Sequence, residues 1–314
     1  MAIISIKNIA TIDLTSIAEE RSISHRGRNA LHPDVYAKYL DKGYHKVPKS
    51  QEEATIAGTK VWNGPNASFP IITSENTADG VIIHATIMPT RYLVGQAMRD
   101  LVNENTYSNE QIQEMSPNMA NVSLILPVKH KGQYFILGQL KGKALGEGQI
   151  HAAITAGNVA AEYLSKPNPL VTALRAECTE ELGLELDTLS PGSFTCMIDE
   201  SETGQVNFAA VSKIHKLETV LHSYDSATRT TLTQDANPEV MGLARLPIEG
   251  LVLIPAESSA GRLKNVTCYK PTSDGLQIMI EDRHVRPYTQ AVAGYLTNTS
   301  DREAFMRKVL SNVA

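Results

Sequence analysis

The sequence predicts an α+β fold in which strands joined in hairpins are combined with helices. Short apolar or alternating runs bounded by turn residues, such as VSLILPV, YFILGQL and QVNFAAVSKIH, are typical of strands joined in hairpins. Other segments, including PDVYAKYLDK at residues 33–42 and the stretch that begins at Leu170, repeat apolar residues at helical spacing.

The chain has 314 residues, which is long for one small core and predicts two structural units. The polar stretch 103–118 contains Pro117 and is the best candidate for a linker. We therefore predict an N-terminal α/β region at 1–117 and a second domain at 118–314. A helix from about Thr289 is expected to end the second domain.

Individual segments predict further elements. GVIIHATI, from Gly80 to Ile87, is expected to form a buried strand, and Pro89 is placed to open the helix that follows. In the second domain, KHKGQ contains a glycine and predicts the turn between VSLILPV and YFILGQL. QIHAAITA is expected to be a strand that leads into a glycine loop at Gly157, and SFTCMIDE is expected to pair with QVNFAAVSKIH.

Composition excludes several classes of protein. A formal net charge of -5 argues against an extended nucleic-acid surface, which needs a basic excess. The three cysteines form no close pair, so neither a disulfide framework nor a cysteine-based zinc site is predicted. No apolar run approaches the roughly 20 residues that cross a bilayer, and no secretion signal is evident. We interpret the chain as a cytoplasmic protein without a membrane partner.

The segment from Leu170 to Leu182 predicts a helix that ends at Gly183. At about 100° per residue, Glu177 and Glu181 fall within about 20° of Leu170, and Glu180 falls about 80° away. Buried carboxylates are costly unless they are protonated, paired or bound to a cation. The apolar stripe that these glutamates interrupt consists of Leu170, Leu174, Cys178 and Leu182.

Carboxylates at positions i, i+3 and i+4 point the same way and can share a hard cation such as Mg²⁺ or Mn²⁺. The alternative is that these glutamates are solvated acids on an exposed helix face. Acids near a helix C-terminus oppose the helix dipole rather than complement it, which favours the metal site without excluding the alternative.

The stretch from Ala173 to Leu184, ALRAECTEELGL, resembles the second half of the Nudix box, which reads Arg-Glu-aliphatic-X-Glu-Glu-X-Gly-aliphatic. Ala176 stands at the arginine position, and Arg175 is adjacent to it. In the first half, Glu162 is the nearest acid to Gly157, and the spacing from this glycine to Glu177 is five residues longer than in the family. The matching residues are Glu177, Cys178, Glu180, Glu181, Gly183 and Leu184.

This resemblance covers about residues 120 to 250 and implies a Nudix-type α/β/α sandwich with a mixed sheet, preceded by the additional N-terminal α/β region. The implied activity is divalent-metal-dependent hydrolysis of a diphosphate linkage in a nucleoside diphosphate derivative. Mg²⁺ or Mn²⁺ would be the cofactor, and its implied ligands are Glu177, Glu180 and Glu181.

Catalytic roles are implied for Glu177 and Glu181, with Glu239 as a candidate base because it precedes a segment that resembles the family's aromatic-Val-Pro segment. Gly157 and Arg175 are candidate substrate-binding residues. The N-terminal region would select the substrate or form a homodimer interface.

Two other functions stay open at this point. The degenerate box is also compatible with a catalytically inactive Nudix-like module that binds a nucleotide or a protein. A metal-dependent isomerase of a diphosphate ester is a further alternative, although Cys178 is more simply explained as a core residue.

Overall fold

The computed structural model describes an α+β protein with a mixed sheet, as the sequence predicts. No helix among the described residues is long and apolar enough to cross a membrane. The residues that the structure describes are 4–19, 30–48, 63–104, 106–140, 150–151, 153–222, 251–255, 268–272 and 275–279.

The chain divides into two compact units, and each is built from separated segments. Unit 1 comprises Met1–Val122, Gly157–Ala173 and Cys196–Phe208. Unit 2 comprises Ser123–Ala156, Leu174–Thr195 and Ala209–Ala314. Residues from the segment predicted as the second domain therefore contribute to both units.

The secondary-structure elements are numbered here in chain order. The helices are α1 (Pro33–Asp41), α2 (Tyr92–Asn103), α3 (Asn109–Met115) and α4 (Pro169–Glu177). The strands are β1 (Ile4–Ser16), β2 (Pro65–Thr77), β3 (Gly80–Arg91), β4 (Met119–His130), β5 (Gln133–Leu140), β6 (Ile150–His151), β7 (Thr155–Asn158), β8 (Phe194–Glu200), β9 (Gln205–Val211), β10 (His215–Lys216), β11 (Leu251–Pro255), β12 (Cys268–Thr272) and β13 (Gly275–Met279).

In unit 1, six strand segments hydrogen-bond in a closed ring. Strand β1 pairs in parallel with β3 and antiparallel with β8, while β2 pairs antiparallel with both β3 and β4. Strand β9 lies beside β8 and also pairs with β4, where the amide of Met119 donates to the carbonyl of Gly204 at 2.7 Å. A closed ring protects strand edges that would otherwise stay unpaired.

The helices α1, α2 and α3 of unit 1 share one apolar core. Asn63 is buried and forms hydrogen bonds to three residues of this helical region. Its Nδ2 atom donates to the Tyr39 hydroxyl at 2.6 Å and to the Tyr44 carbonyl at 3.0 Å, and its Oδ1 atom accepts from the Leu93 amide at 3.0 Å. The last bond satisfies an amide in the first turn of α2, where helices lack internal partners.

Pro89 does not open a helix, contrary to the prediction, because it lies inside β3 opposite Ala67. The Ala67 amide points away from β3 and donates to the Val159 carbonyl at 2.8 Å, so Ala67 and Pro89 form a non-hydrogen-bonded pair. The Pro89 nitrogen therefore faces the β1 side of the strand, where the pairing between β1 and β3 has already ended at Ile87. Proline has no amide hydrogen to donate, and it is tolerated at such an unpaired edge.

The polar stretch 103–118 contains helix α3, so it is not the irregular linker that we expected. Ser108 and Gln111 form a capping box in which each side chain accepts from the other residue's amide. Ile112 and Met115 are buried, so a short amphipathic helix accounts for the polar composition of this stretch.

In unit 2, β4 and β5 form the predicted hairpin, and its turn has positive φ values of 45° at Lys131 and 84° at Gly132. Strand β5 also pairs with β11, which continues the sheet to β12 and β13, and β10 runs parallel to β4. The segment QIHAAITA forms two short strands, β6 and β7, rather than one. The helix predicted from Thr289 lies outside the described residues.

Candidate active site at the end of helix α4

Helix α4 and the helical turn that follows it carry the predicted apolar stripe. All four residues of the stripe are buried: Leu170, Leu174, Cys178 and Leu182. The helix continues beyond Glu177 as one π turn, Cys178–Leu182, and ends at Gly183 with a φ of 64°. There the Gly183 amide donates to the Thr179 carbonyl at 3.0 Å, which is the bond of an αL ending, and the Leu184 amide donates to the Cys178 carbonyl at 3.3 Å. The predicted glycine cap is thus confirmed.

The π turn changes the geometry that the sequence predicted for the glutamates. A π turn has i→i+5 hydrogen bonds, so the angles calculated for a regular α-helix do not apply to Glu180 and Glu181. Glu180 is exposed, whereas Glu177 and Glu181 are partly buried. The Oε2 atom of Glu181 is itself buried from solvent. The two partly buried carboxylates are therefore Glu177 and Glu181.

The negative charges of Glu180 and Glu181 act on Glu177, as its raised pKa shows. The pKa of Glu177 is raised to about 7, chiefly by burial and then by the negative charges of Glu181 and Glu180, in that order of importance. Burial also raises the pKa of the Cys178 thiol, again with the charges of Glu181 and Glu177 as smaller causes. The site therefore disfavours additional negative charge, and Cys178 stays a protonated core residue.

Arg175 lies on α4 but contacts the segment after the helix. Its Nη2 atom donates to the carbonyls of Asp187 and Leu189, each at 2.8 Å. The Thr179 hydroxyl in turn donates to the Arg175 carbonyl at 3.0 Å. We expected Arg175 to bind the substrate, and the sequence contains no local signal for this contact with the backbone after the helix. Substrate binding by Arg175 stays a prediction.

Gly157 lies in strand β7, where we expected a loop. After β7 comes a short 3-10 helix, Ala161–Ser165, so the acid nearest to the family's first glutamate, Glu162, is on this turn and is exposed. Glu239, the candidate base, lies outside the described residues.

The chemistry of the donors fits a hard divalent cation, which prefers carboxylate oxygens. Within the described part of the chain, however, no three His, Cys, Asp or Glu side chains converge closely enough to form a metal centre by themselves. Mg²⁺ seldom has an all-protein cage and is commonly held by one or two carboxylates together with water and substrate phosphates. Glu177 and Glu181 can supply those two carboxylates.

Comparison with protein-family models found no match, and comparison with curated proteins found no significant similarity.

Proposed function

We propose that this protein is a divalent-metal-dependent hydrolase that cleaves a diphosphate linkage in a nucleoside diphosphate derivative, with a Nudix-type arrangement around α4. The observation that supports this function is the pair of partly buried glutamates, Glu177 and Glu181, at the C-terminal end of α4. The pKa of about 7 at Glu177 means that burial and its two acidic neighbours hinder its ionisation near neutral pH.

A divalent cation would reverse this balance, because it stabilises both carboxylates in their charged form. When bound, such a cation neutralises phosphate charge and lowers the pKa of a water molecule that can attack the diphosphate. In this assignment Glu177 and Glu181 hold the metal from the protein side. Glu180, which is exposed, would complete the metal ligation from the solvent side. Glu239 is the candidate general base.

The test is a panel of nucleotides, dinucleotides and nucleotide sugars assayed for phosphate-containing products with Mg²⁺ or Mn²⁺. We expect release from at least one compound, and loss of that release in Glu181→Gln. The matched control is Glu114→Gln, which removes an exposed carboxylate from α3 and should keep full activity. Equal activity in Glu181→Gln and the wild-type protein would refute the site.

A second function, a Nudix-like module that binds a nucleotide or a protein without hydrolysis, is favoured by a specific observation. Ala176 stands where the family has arginine, and the neighbouring Arg175 uses its guanidinium group to hold the backbone of Asp187 and Leu189. Calorimetric titration with Mn²⁺ separates the two functions. Tight binding that depends on Glu177 and Glu181 supports the hydrolase, whereas nucleotide binding without metal binding supports the inactive module.

The remaining parts of the proposal concern the setting of the site. Unit 1 would select the substrate or form a homodimer interface, and the protein would act in the cytoplasm. Size-exclusion chromatography with light scattering measures the oligomeric state directly.

A further inference from the structure

Unit 2 gathers four exposed lysines in two neighbouring segments, although the whole chain has a net charge of -5. Lys129 lies near the end of β4, and Lys131 lies in the turn that follows. Lys213 precedes β10, and Lys216 lies within it. Strand β10 runs parallel to β4, so the two segments are side by side. We call these four residues the basic face.

The register of the strands places three of these side chains in a row. Lys129 is paired with Lys216 on β10 and with Tyr134 on β5. Side chains at paired positions lie on the same face of a sheet, so Tyr134, Lys129 and Lys216 follow one another across three adjacent strands. The Lys129 Nζ atom lies 5.3 Å from the centre of the Tyr134 ring. The opposite face is turned to the core, where Val128 and Phe135 are buried.

This row places like charges next to each other. Two lysines at directly paired positions repel, which destabilises the sheet unless an anion lies between them. Within the described residues, none of the four ammonium groups forms an ion pair. The nearby acid Glu218 has its Oε1 atom 2.6 Å from Nδ1 of His130. Glu218 also interacts electrostatically with Lys216, and an external anion between the two paired lysines would relieve the rest of their repulsion.

We infer that the basic face binds the phosphate backbone of a single-stranded nucleic acid, with the Tyr134 ring as a stacking surface for a base. Proteins that bind single strands combine lysines or arginines along the backbone with aromatic rings beside them, which is the arrangement of this row. A membrane is a poorer partner, because surfaces that insert into lipid expose apolar side chains. The exposed large hydrophobic residues of the described chain, Leu40 and Ile71, both belong to unit 1.

The short extent of the basic face agrees with the net negative charge of the whole chain. Four lysines can neutralise about four phosphates, whereas an extended duplex surface would need a larger basic excess. The inference is independent of the proposed hydrolase, because it uses none of the glutamates on α4.

The test is fluorescence anisotropy of a labelled oligothymidylate of about twelve nucleotides, titrated with the full-length protein at several salt concentrations. For about four phosphate contacts on a single strand, the slope of log K against log salt should be about -3. In the double variant Lys129→Gln and Lys216→Gln, two contacts are lost and the slope should fall to about -1.4. The matched control, Lys42→Gln and Lys166→Gln, removes the same charge from exposed positions in unit 1 and should keep the wild-type slope.

Tyr134→Leu tests the stacking contact separately. It should weaken binding about tenfold and leave the salt slope unchanged, because no phosphate contact is lost. The inference is overturned if the wild-type protein does not bind the oligonucleotide at low salt, or if the Lys129 and Lys216 double variant binds as the control does. Binding to phosphatidylserine vesicles without binding to the oligonucleotide would likewise overturn it.

Discussion

Replacing Glu177 with glutamine should stabilise the metal-free protein, and the gain should depend on pH. The folded-state pKa of Glu177 is about 7, above its ordinary value of 4.5, so the folded protein holds this proton more tightly than the unfolded chain does. Ionisation of Glu177 therefore lowers the free energy of unfolding. This loss of stability is absent at pH values below the pKa that Glu177 has in the unfolded chain. It grows as the pH rises and is complete above the pKa that Glu177 has in the folded protein.

The size of the effect follows from the two pKa values. Their difference corresponds to about 3 kcal/mol, at about 1.4 kcal/mol for each pKa unit. By linkage, ionisation of Glu177 costs about 1 kcal/mol near pH 5 and about 3 kcal/mol near pH 8. Glutamine cannot ionise, so Glu177→Gln should gain about 2 kcal/mol more in stability at the higher pH than at the lower one.

Urea unfolding followed by circular dichroism near pH 5 and near pH 8 measures this difference in the presence of a chelator. Glu114→Gln, on the exposed surface of α3, is the control for the loss of one carboxylate. A stability difference between Glu177→Gln and wild type that is the same at both pH values would refute the electrostatic reasoning. Adding Mg²⁺ near pH 8 should stabilise the wild type and leave Glu177→Gln unchanged, if the metal assignment is right.

Two further substitutions test local contacts. Asn63→Ala removes three hydrogen bonds from the core of unit 1, at about 1 kcal/mol each, so the free energy of unfolding should fall by about 3 kcal/mol. A loss below about 1 kcal/mol in urea unfolding would show that water or a shifted side chain replaces these bonds. Arg175→Ala frees the carbonyls of Asp187 and Leu189, and hydrogen exchange should become faster in the segment from Gly183 to Leu189. Unchanged exchange there would mean that the segment is held by other contacts.

The sequence correctly predicted those elements whose conformation depends on residues that are close together in the chain. The turn at Lys131 and Gly132 and the cap at Gly183 were predicted because glycine favours a positive φ, and both occur as expected. Helix α1 was predicted from its apolar residues at helical spacing. Each of these signals depends only on residues close together in the sequence.

Other features depend on partners far away in the chain and could not be predicted locally. Pro89 is accommodated in β3 because β1 has ended its pairing at that point, which is a property of the sheet. The π turn itself could not be predicted, because a helical wheel assumes regular α-helical geometry, although the wheel already placed Glu180 farther from Leu170 than Glu177 and Glu181. The contact between Arg175 and the carbonyl of Leu189 could be predicted only if the path of the chain after Gly183 were known.

The closed ring of unit 1 has a consequence for synthesis of the chain. Residues 4–8 of β1 pair with residues 196–200 of β8, so this edge of β1 has no partner from β8 until the chain has been made beyond residue 200. Until then that edge offers unpaired amides and carbonyls to any extended chain that it meets, including another nascent copy. A ring closed by strands that are far apart in the sequence thus leaves this edge of β1 exposed during translation until β8 has been made.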